Sequence, residues 1–381
     1  MPDAQATATD APALLRLAAG GLRAGLQRRL LDSHGTAAAA LAAGPRDWAS
    51  HGIPAEAVRE LRNPDPDALR RGERWLAEPG HHVLGWRDPD YPPLLRRIAS
   101  PPALLFVAGD PALLWRPALA IVGSRAATAG GCTNAASFAR AMAATGLCVA
   151  SGLAAGIDGA AHQAALEAGG ATVAVLGTGP DVAYPVRHRP LLERIAAEGA
   201  VASEHLPGTG PLRQHFPSRN RILAGLSLGV LVVEAAERSG ALVTARLAAE
   251  AGREVFALPG SIHNPMARGC HRLLREGAAL VESPAEVLEA LAPLAADLAR
   301  TLRGSLGPVA AGVAHGPPTH APPPDGDHHR LWEALGHDPT GMDELVERSG
   351  LTAANVSSIL LALELDWRVT SEHGRYTRTG A

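Results

Sequence analysis

The chain has 381 residues, 46% of them hydrophobic, which is enough for a folded protein of two or three domains. Its formal net charge of −3 excludes a generally basic nucleic-acid binder, so any such role requires a local basic patch. Three widely separated cysteines exclude a disulfide framework and predict a reduced, cytoplasmic protein. Arginines interrupt the apolar runs before membrane-spanning length, so no membrane association is expected.

The first 80 residues have the leucine spacing of amphipathic helices. Leucines recur every three or four positions between Leu14 and Leu31, and similar patterns follow up to residue 76. We predict a small helical domain over residues 1–80. A proline-rich, ordered connector is expected over 81–117, with one short strand at 104–107.

A strand–helix–strand unit is predicted over residues 118–158. Its two apolar runs end in glycine-containing loops, Gly123-Ser124-Arg125 and Ser151-Gly152, which is typical of buried parallel strands. Backbone N–H groups and helix N-termini gather at such loops, and Arg125 adds a positive charge. This chemistry suits a phosphate group.

Two well-known classes of phosphate-binding loop are excluded. A dinucleotide-binding loop requires GxGxxG and an acid at the end of the second strand, and the chain has neither. A P-loop requires lysine, but all 35 basic residues are arginine. No cofactor is therefore predicted. No metal is predicted either, because the histidine pairs at 81–82 and 328–329 lack partners at ligand spacing.

Strand and helix signals alternate from residue 118 to about 292. Further strands are expected near 172–176, 200–203, 230–233 and 255–258, with helices between them. The alternation predicts an α/β fold with a Rossmann-like, doubly wound, mostly parallel sheet. Its ligand crevice should lie beyond the carboxyl ends of the strands.

An acid-free stretch spans residues 205–233. It carries three arginines and one phenylalanine: Arg213, Phe216, Arg219 and Arg221. Arginine pairs with phosphate oxygens in a bidentate manner, and an aromatic ring offers a stacking face for an unpaired base. We expect a long loop that enters a helix at Asn220. The alternative is that the arginines pair with acids elsewhere and the ring is core, but Arg125 at the same sheet edge favours binding.

Four further side chains have two interpretations each. Glu204 and Glu234 follow strand ends, and we prefer a role in neutralising the pocket arginines over catalysis, because no nucleophile accompanies them. Asp158 is interpreted as a helix N-cap rather than as one of a metal-binding pair with His162. Tyr184 is interpreted as a turn residue rather than as a base-stacking one.

The C-terminal quarter divides into two parts. Residues 293–326 are rich in alanine and proline, which predicts a linker without a core. Residues 327–381 predict three helices and a hairpin around His373-Gly374, a winged-helix-like domain. The candidate recognition helix carries Asn355, Ser357 and Ser358 but no basic residue, which argues against a transcription regulator that recognises duplex DNA.

Several long motifs resemble the bacterial DNA-processing protein A family, also called Smf. They are AIVGSR (120–125), SGLAAGIDGAAHQAAL (151–166), TVAVLGTGPDVAYP (172–185), FPSRNRILAGLS (216–227), VVEAAERSGALVTARLAAEAGREVFALPGSI (232–262) and GCHRLLREGA (269–278). The resemblance is dense over about 118–292 and looser at both ends, and it implies a SAM-like fold for the helical domain at 1–80.

This resemblance implies a homodimeric, non-enzymatic protein that binds single-stranded DNA in a pocket of the Rossmann-like domain. Family members load the recombinase RecA onto DNA taken up in natural transformation and displace single-strand-binding protein. Carried over residue by residue, the DNA contacts fall on Gly123, Ser124, Arg125, Ser151, Gly152, Phe216, Arg219, Asn220, Arg221, Ser239, Gly240 and Thr244. The phosphate-contacting lysines of the family have no counterpart, and only arginines such as Arg213 or Arg187 are available to replace them.

The alternative function is that of a Rossmann-like enzyme which releases the base from nucleoside monophosphates. Such phosphoribohydrolases carry a PGGxGT loop with a nearby glutamate. The corresponding stretch here, VVEAAERSGALVTA, lacks that loop. We therefore favour DNA binding.

Overall fold

The computed structural model of the protein describes residues 4–305, 326–335, 340–365, 369–372 and 375–378. The chain forms two compact units, Met1–Arg303 and Gly304–Ala381. Within the described ranges, no helix is both long and apolar enough to cross a bilayer. Most of the predicted linker and the hairpin tip His373-Gly374 lie outside the described residues.

Five helices form the N-terminal part of the first unit. They are α1 (Ala4–Ala19), α2 (Ala24–His34), α3 (Ala37–Ser50), α4 (Ala55–Arg62) and α5 (Pro66–Leu76). Their leucines, with Trp48 and Trp75, share one apolar core with Phe106 and Val201 of the sheet. Because that core is common, residue 80 is not a boundary between compact units.

Nine strands form the main sheet. They are β1 (His81–Gly85), β2 (Leu104–Gly109), β3 (Ala118–Val122), β4 (Cys148–Ser151), β5 (Thr172–Leu176), β6 (Ala200–Ser203), β7 (Gly229–Val232), β8 (Glu254–Ala257) and β9 (Ala279–Leu280). Their order is β1-β2-β6-β5-β4-β3-β7-β8-β9, and every pair from β6 to β9 is parallel. The predicted doubly wound sheet is confirmed, with the strand order reversing between β3 and β7.

Eight helices flank this sheet or connect its strands. They are α6 (Pro93–Arg96), α7 (Ala129–Ala144), α8 (Ile157–Glu167), α9 (Arg189–Glu198), α10 (His215–Leu226), α11 (Gly240–Glu250), α12 (Arg268–Arg275) and α13 (Pro284–Ser305). Successive residues of β3 point to opposite faces. Ala120 and Val122 pack in the core shared with α10 and α11, whereas Leu119 and Ile121 pack in the core shared with α7 and α8.

Two predicted segments differ from the structure. The connector's strand β2 pairs with β6 and with the unpredicted β1, both antiparallel, so the connector extends the main sheet. Helix α13 continues to Ser305, although a linker was expected from residue 293. Leucines at helical spacing explain this extension, since Leu291 and Leu298 are both buried in the core, and alanine has the highest helix propensity.

The described residues of the second unit form three helices and a small antiparallel sheet. Its elements are α14 (Gly326–Leu335), β10 (Thr340–Gly341), α15 (Met342–Ser349), α16 (Ala353–Leu365), β11 (Val369–Glu372) and β12 (Arg375–Arg378). Leu331, Leu345 and Leu360 belong to its separate core. The three helices and the strands β11 and β12 were predicted for the tail, whereas β10 was not.

Candidate nucleic-acid interface

A cavity of about 740 Å³ opens beyond the carboxyl end of β3, where the strand order reverses. Ligand crevices of doubly wound sheets lie at this position, and the volume is within the range of ligand-binding pockets. We call five of its side chains the rim: Arg125, Tyr184, Arg213, Phe216 and Arg238. Two more, Asp158 and Arg219, together with His162 beneath them, form the floor.

The rim combines aromatic faces with free cations. The guanidinium of Arg125 lies 5.5 Å from the ring centre of Phe216, and the ring of Tyr184 lies 5.2 Å from the same ring. Arg125, Arg213 and Arg238 are exposed, and none forms an ion pair or side-chain hydrogen bond with any residue in the described ranges. These three charges are therefore available to an anionic ligand.

Helices α10 and α11 direct their N-termini into the cavity. Neither has an acidic residue in its first turn, and the Ser239 hydroxyl caps α11 by accepting from the Ala241 amide at 3.3 Å. Gly240 and Thr244 of α11 and Asn220 of α10 line the wall. Because the unpaired amides at a helix N-terminus carry a partial positive charge, these two helix ends add to the attraction for phosphate.

Helices α7 and α8 differ because a carboxylate of the protein itself already lies at each N-terminus. Glu234 accepts from the Thr128 amide at 2.9 Å, from the Thr128 hydroxyl at 2.6 Å and from the Asn264 amide group at 3.3 Å. It holds the loop between β3 and α7. The interpretation that Glu234 neutralises a pocket arginine is therefore wrong.

Asp158 lies within the first turn of α8, and the predicted N-cap is wrong because Gly156 occupies that position. Its carboxylate accepts from the amides of Gly152 at 3.2 Å and Ala154 at 3.3 Å. Burial raises the pKa of Asp158, and the nearby Arg219 guanidinium partly opposes that rise. Burial likewise lowers the pKa of Arg219 to about 10. The two opposite charges attract each other across the cavity floor without a direct ion pair between them.

Arg219 is only 5% exposed, and its guanidinium donates to the carbonyl oxygen of Val175. A Cβ atom at position 152 would overlap this guanidinium, so Gly152 provides the space for it. Ser151 is completely buried and donates to the Ile121 carbonyl at 2.6 Å. Neither Ser151 nor Gly152 lines the cavity, although both were predicted to contact DNA. Instead, Ser151 and Gly152 support the floor through the contacts described above.

Arg221 is turned away from the cavity. Its guanidinium forms a bidentate pair with Glu204, with nitrogen–oxygen distances of 2.6 and 3.0 Å. The expectation that Arg221 faces the crevice together with Arg125 and Arg219 is wrong, and Glu204 pairs with an arginine outside the pocket rather than with one inside it. The reason is that α10 begins at His215 rather than at Asn220. Residues 219 and 221 are then about 200° apart around a helix.

The structure thus brings together nine of the twelve predicted contact residues along the cavity wall: Gly123, Ser124, Arg125, Phe216, Arg219, Asn220, Ser239, Gly240 and Thr244. Sequence reasoning missed Arg238 and interpreted Tyr184 as a turn residue. Arg238 directly precedes the Ser239 cap, so its position beside a helix N-terminus was a usable signal. Tyr184 is 42% exposed, and its proximity to Phe216 arises only in the folded chain.

Two family models match the chain. The model of the DNA recombination-mediator protein A family matches residues 82–292, and that of the DprA winged helix domain matches residues 315–375. The chain is 42% identical to protein Smf of Escherichia coli over 306 residues, which cover 80% of this chain and 79% of the other. It is 49% identical to DNA processing protein DprA of Streptococcus pneumoniae over 201 residues, 53% of this chain and 71% of the other.

Two solved structures are also similar. DNA processing protein A of Streptococcus pneumoniae superposes with a TM-score of 0.66 at 39% identity, covering 72% of this chain and 96% of that one. The Helicobacter pylori protein, solved to explain its single-stranded DNA binding mode, gives 0.51 at 28% identity, covering 56% and 96%. The suspected resemblance and the winged-helix tail are confirmed. The chain belongs to the DNA recombination-mediator protein A family.

Proposed function

We propose that this protein binds single-stranded DNA in the cavity and loads a RecA-type recombinase onto it during natural transformation and recombination. One observation carries the proposal. The cavity places three unpaired arginines and two aromatic rings around a single opening, and Asp158 is the one acid among its lining residues in the described part of the chain. That combination suits a polyanion with accessible bases.

The rim geometry favours a single strand over a duplex. The Tyr184 and Phe216 rings meet at 42°, and both line a concave opening in which a splayed base has room to stack. Phosphates would then meet Arg125, Arg213 or Arg238 and the N-termini of α10 and α11.

Family membership supports the finer parts of the proposal. The Helicobacter pylori relative is described by its single-stranded DNA binding mode, and the matching family is that of recombination mediators. We infer that the protein acts as a homodimer, delivers RecA, and competes with single-strand-binding protein for the same DNA. We assign it no catalytic reaction and place it in the cytoplasm.

The phosphoribohydrolase alternative requires a free glutamate beside the cavity. Glu234 is the acid at the corresponding strand end, but it is 7% exposed and holds Thr128 and Asn264. A carboxylate that already accepts three hydrogen bonds has little capacity left to act on a ribose. Incubation with nucleoside monophosphates should therefore release no base.

Fluorescence anisotropy with labelled single- and double-stranded oligonucleotides of one sequence tests the proposal. We expect tighter binding of the single strand, and log K should fall against log salt with a slope of about −2, or −0.7 for each of three phosphates neutralised. Equal affinity for the duplex, or binding independent of salt, would contradict it. Recombinase loading is tested separately, by the rate of RecA-dependent ATP hydrolysis on DNA precoated with single-strand-binding protein.

A further inference from the structure

Three potential metal ligands converge at the ends of α2 and α3, in the N-terminal helical part. His34 Nε2 lies 2.8 Å from Asp47 Oδ2, and His51 Nε2 lies 3.6 Å from the same oxygen. One ligand atom from each of the three side chains lies within 4.8 Å of the other two. The side chains are 19%, 33% and 25% exposed, so the cluster opens to solvent on one side.

The backbone brings these residues together independently of any ion. His34 is the last residue of α2, and Gly35 follows in a positive-φ conformation (φ 79°). Helix α3 is bent at Gly44 (φ 82°, ψ 178°), and Asp47 and His51 lie beyond the bend, one helical turn apart. The bend is what turns this final segment so that its ligands meet the end of α2.

Two contacts fix the final segment of α3. The buried Trp48 lies between the two ligands in sequence, and its indole N–H donates to the Ala40 carbonyl at 2.7 Å. The Arg29 guanidinium donates to the His51 carbonyl at 2.7 Å. The ligand positions are therefore preorganised by packing and hydrogen bonds, which lowers the free-energy cost of assembling a site.

The donor set selects a class of ion. Two imidazole nitrogens with one carboxylate oxygen suit Zn²⁺ and similar divalent transition metals, whereas Mg²⁺ and Ca²⁺ prefer oxygen ligands alone. Tetrahedral Zn²⁺ with bonds of about 2.0–2.2 Å holds its ligand atoms roughly 3.3–3.5 Å apart. The 3.6 Å separation of His51 and Asp47 is already close to this value. The 2.8 Å contact of His34 with Asp47 needs only a small opening.

We propose that His34, Asp47 and His51 bind one Zn²⁺ ion, with water as the fourth ligand, and that the ion ties the end of α2 to the end of α3. The alternative is that the His34–Asp47 hydrogen bond is the whole function of the cluster. The ring of His51 distinguishes the two. Within the described ranges it forms no hydrogen bond, and its ring and charge contacts are with the other two candidate ligands: the His34 ring, edge to face at 5.5 Å, and the Asp47 carboxylate at 3.6 Å.

Titration of the untagged full chain with Co²⁺, after treatment with a chelator, tests the site, with Zn²⁺ as competitor. We expect one equivalent to bind with the visible absorption of Co²⁺ in a low-coordinate nitrogen–oxygen site, and Zn²⁺ to displace it. His51→Gln and Asp47→Asn should weaken binding by more than about tenfold, since even outer ligand-supporting residues contribute that much. His263→Gln, which changes an exposed histidine, is the matched control and should bind as the wild type does.

Thermal unfolding gives a second measurement. Zn²⁺ should raise the melting temperature of the wild type and of His263→Gln but not of His51→Gln, because only a native site gains stability from the ion. His51→Gln removes a residue with no hydrogen bond to its ring, so it should fold even if His34→Gln does not. Unchanged metal affinity in His51→Gln, or no stoichiometric binding by the wild type, would overturn the proposal.

Discussion

The rim and the floor of the cavity use the same residue type for opposite purposes. Arg125, Arg213 and Arg238 on the rim are exposed and unpaired within the described part of the chain, whereas Arg219 in the floor is buried beside Asp158. Arg221, two residues along α10, is committed to Glu204. An arginine available to a ligand is thus distinguished by the absence of an internal partner rather than by its place in a motif.

Removing two rim charges should have the largest effect on DNA binding. Each charge-assisted contact contributes about 1.5–3 kcal/mol, so Arg125→Ala with Arg213→Ala should weaken single-strand affinity at least about a hundredfold. The melting temperature should change little, because neither side chain forms an ion pair or a side-chain hydrogen bond in the described ranges and Arg125 loses only its exposed contact with the Phe216 ring. Anisotropy and thermal unfolding measure both quantities.

Arg189→Ala is the control for that double variant. Arg189 forms an exposed ion pair with Glu193 and does not line the cavity. It should leave affinity unchanged. If the control loses as much affinity as the double variant, binding follows total charge and the rim has no special role.

A substitution in the floor should have the opposite result from one in the rim: it should lower stability more than it lowers DNA affinity. Arg219→Ala removes the cation that favours the charged form of the buried Asp158 and the donor to the Val175 carbonyl, and leaving such a buried acceptor unsatisfied typically costs about 1–3 kcal/mol of stability. Denaturant unfolding should show this loss, while the folded fraction binds DNA better than the rim double variant does. A hundredfold loss of affinity at unchanged stability would show that Arg219 contacts DNA directly, as the rim arginines do, instead of supporting the floor.

The aromatic part of the rim should contribute less than two arginines. Stacking of one base on an aromatic ring contributes about 1–3 kcal/mol, so Phe216→Ala should reduce affinity by roughly 5- to 150-fold. Phe216→Tyr keeps the stacking face and should bind nearly as the wild type does. If both substitutions reduce affinity equally, the ring packs against the protein instead of against a base.

The smallest expected effect is the pH dependence of the free energy of unfolding that His162 produces in the floor. His162 Nδ1 donates to the Thr172 hydroxyl at 2.7 Å, and burial lowers the pKa of its imidazole to about 3. Below pH 6.5 the unfolded chain binds a proton that the native state does not, so the free energy of unfolding falls by about 1 kcal/mol between pH 6.5 and 5.5. Stability from this group is fully present above pH 6.5.

Comparison with His162→Gln isolates that contribution. Asp158 acts in the opposite direction, because its raised native pKa favours proton uptake by the folded state as the pH falls. The difference between wild type and variant removes this effect, since Asp158 is present in both. Parallel pH profiles would contradict a neutral, buried His162.

The parallel strands were predictable because strands buried on both faces leave continuous apolar runs in the sequence. The runs at β3 and β5 are two examples, and each is buried over its whole length. The acid-free stretch also identified the cavity wall, since Phe216, Arg219 and Asn220 all line it.

The assignment of individual arginines was not predictable in the same way. Whether Arg221 faces DNA depends on where α10 begins, and that is decided by packing rather than by a local signal. Glu234 is equally inaccessible to sequence reasoning, because its partner Thr128 lies more than a hundred residues earlier. Contacts between residues in distant segments can be predicted only when the order of the strands in the sheet is already known.

The antiparallel pairing of β2 with β6 sets the order in which the chain can mature during synthesis. Phe106 of β2 pairs with Ser203 of β6, and the core beneath the N-terminal helices includes Val201. The helices are made first but cannot complete their core until about residue 203 has left the ribosome. For the time needed to translate that interval, one edge of β2 stays unpaired, and we expect this nascent species to be the one that requires chaperone protection.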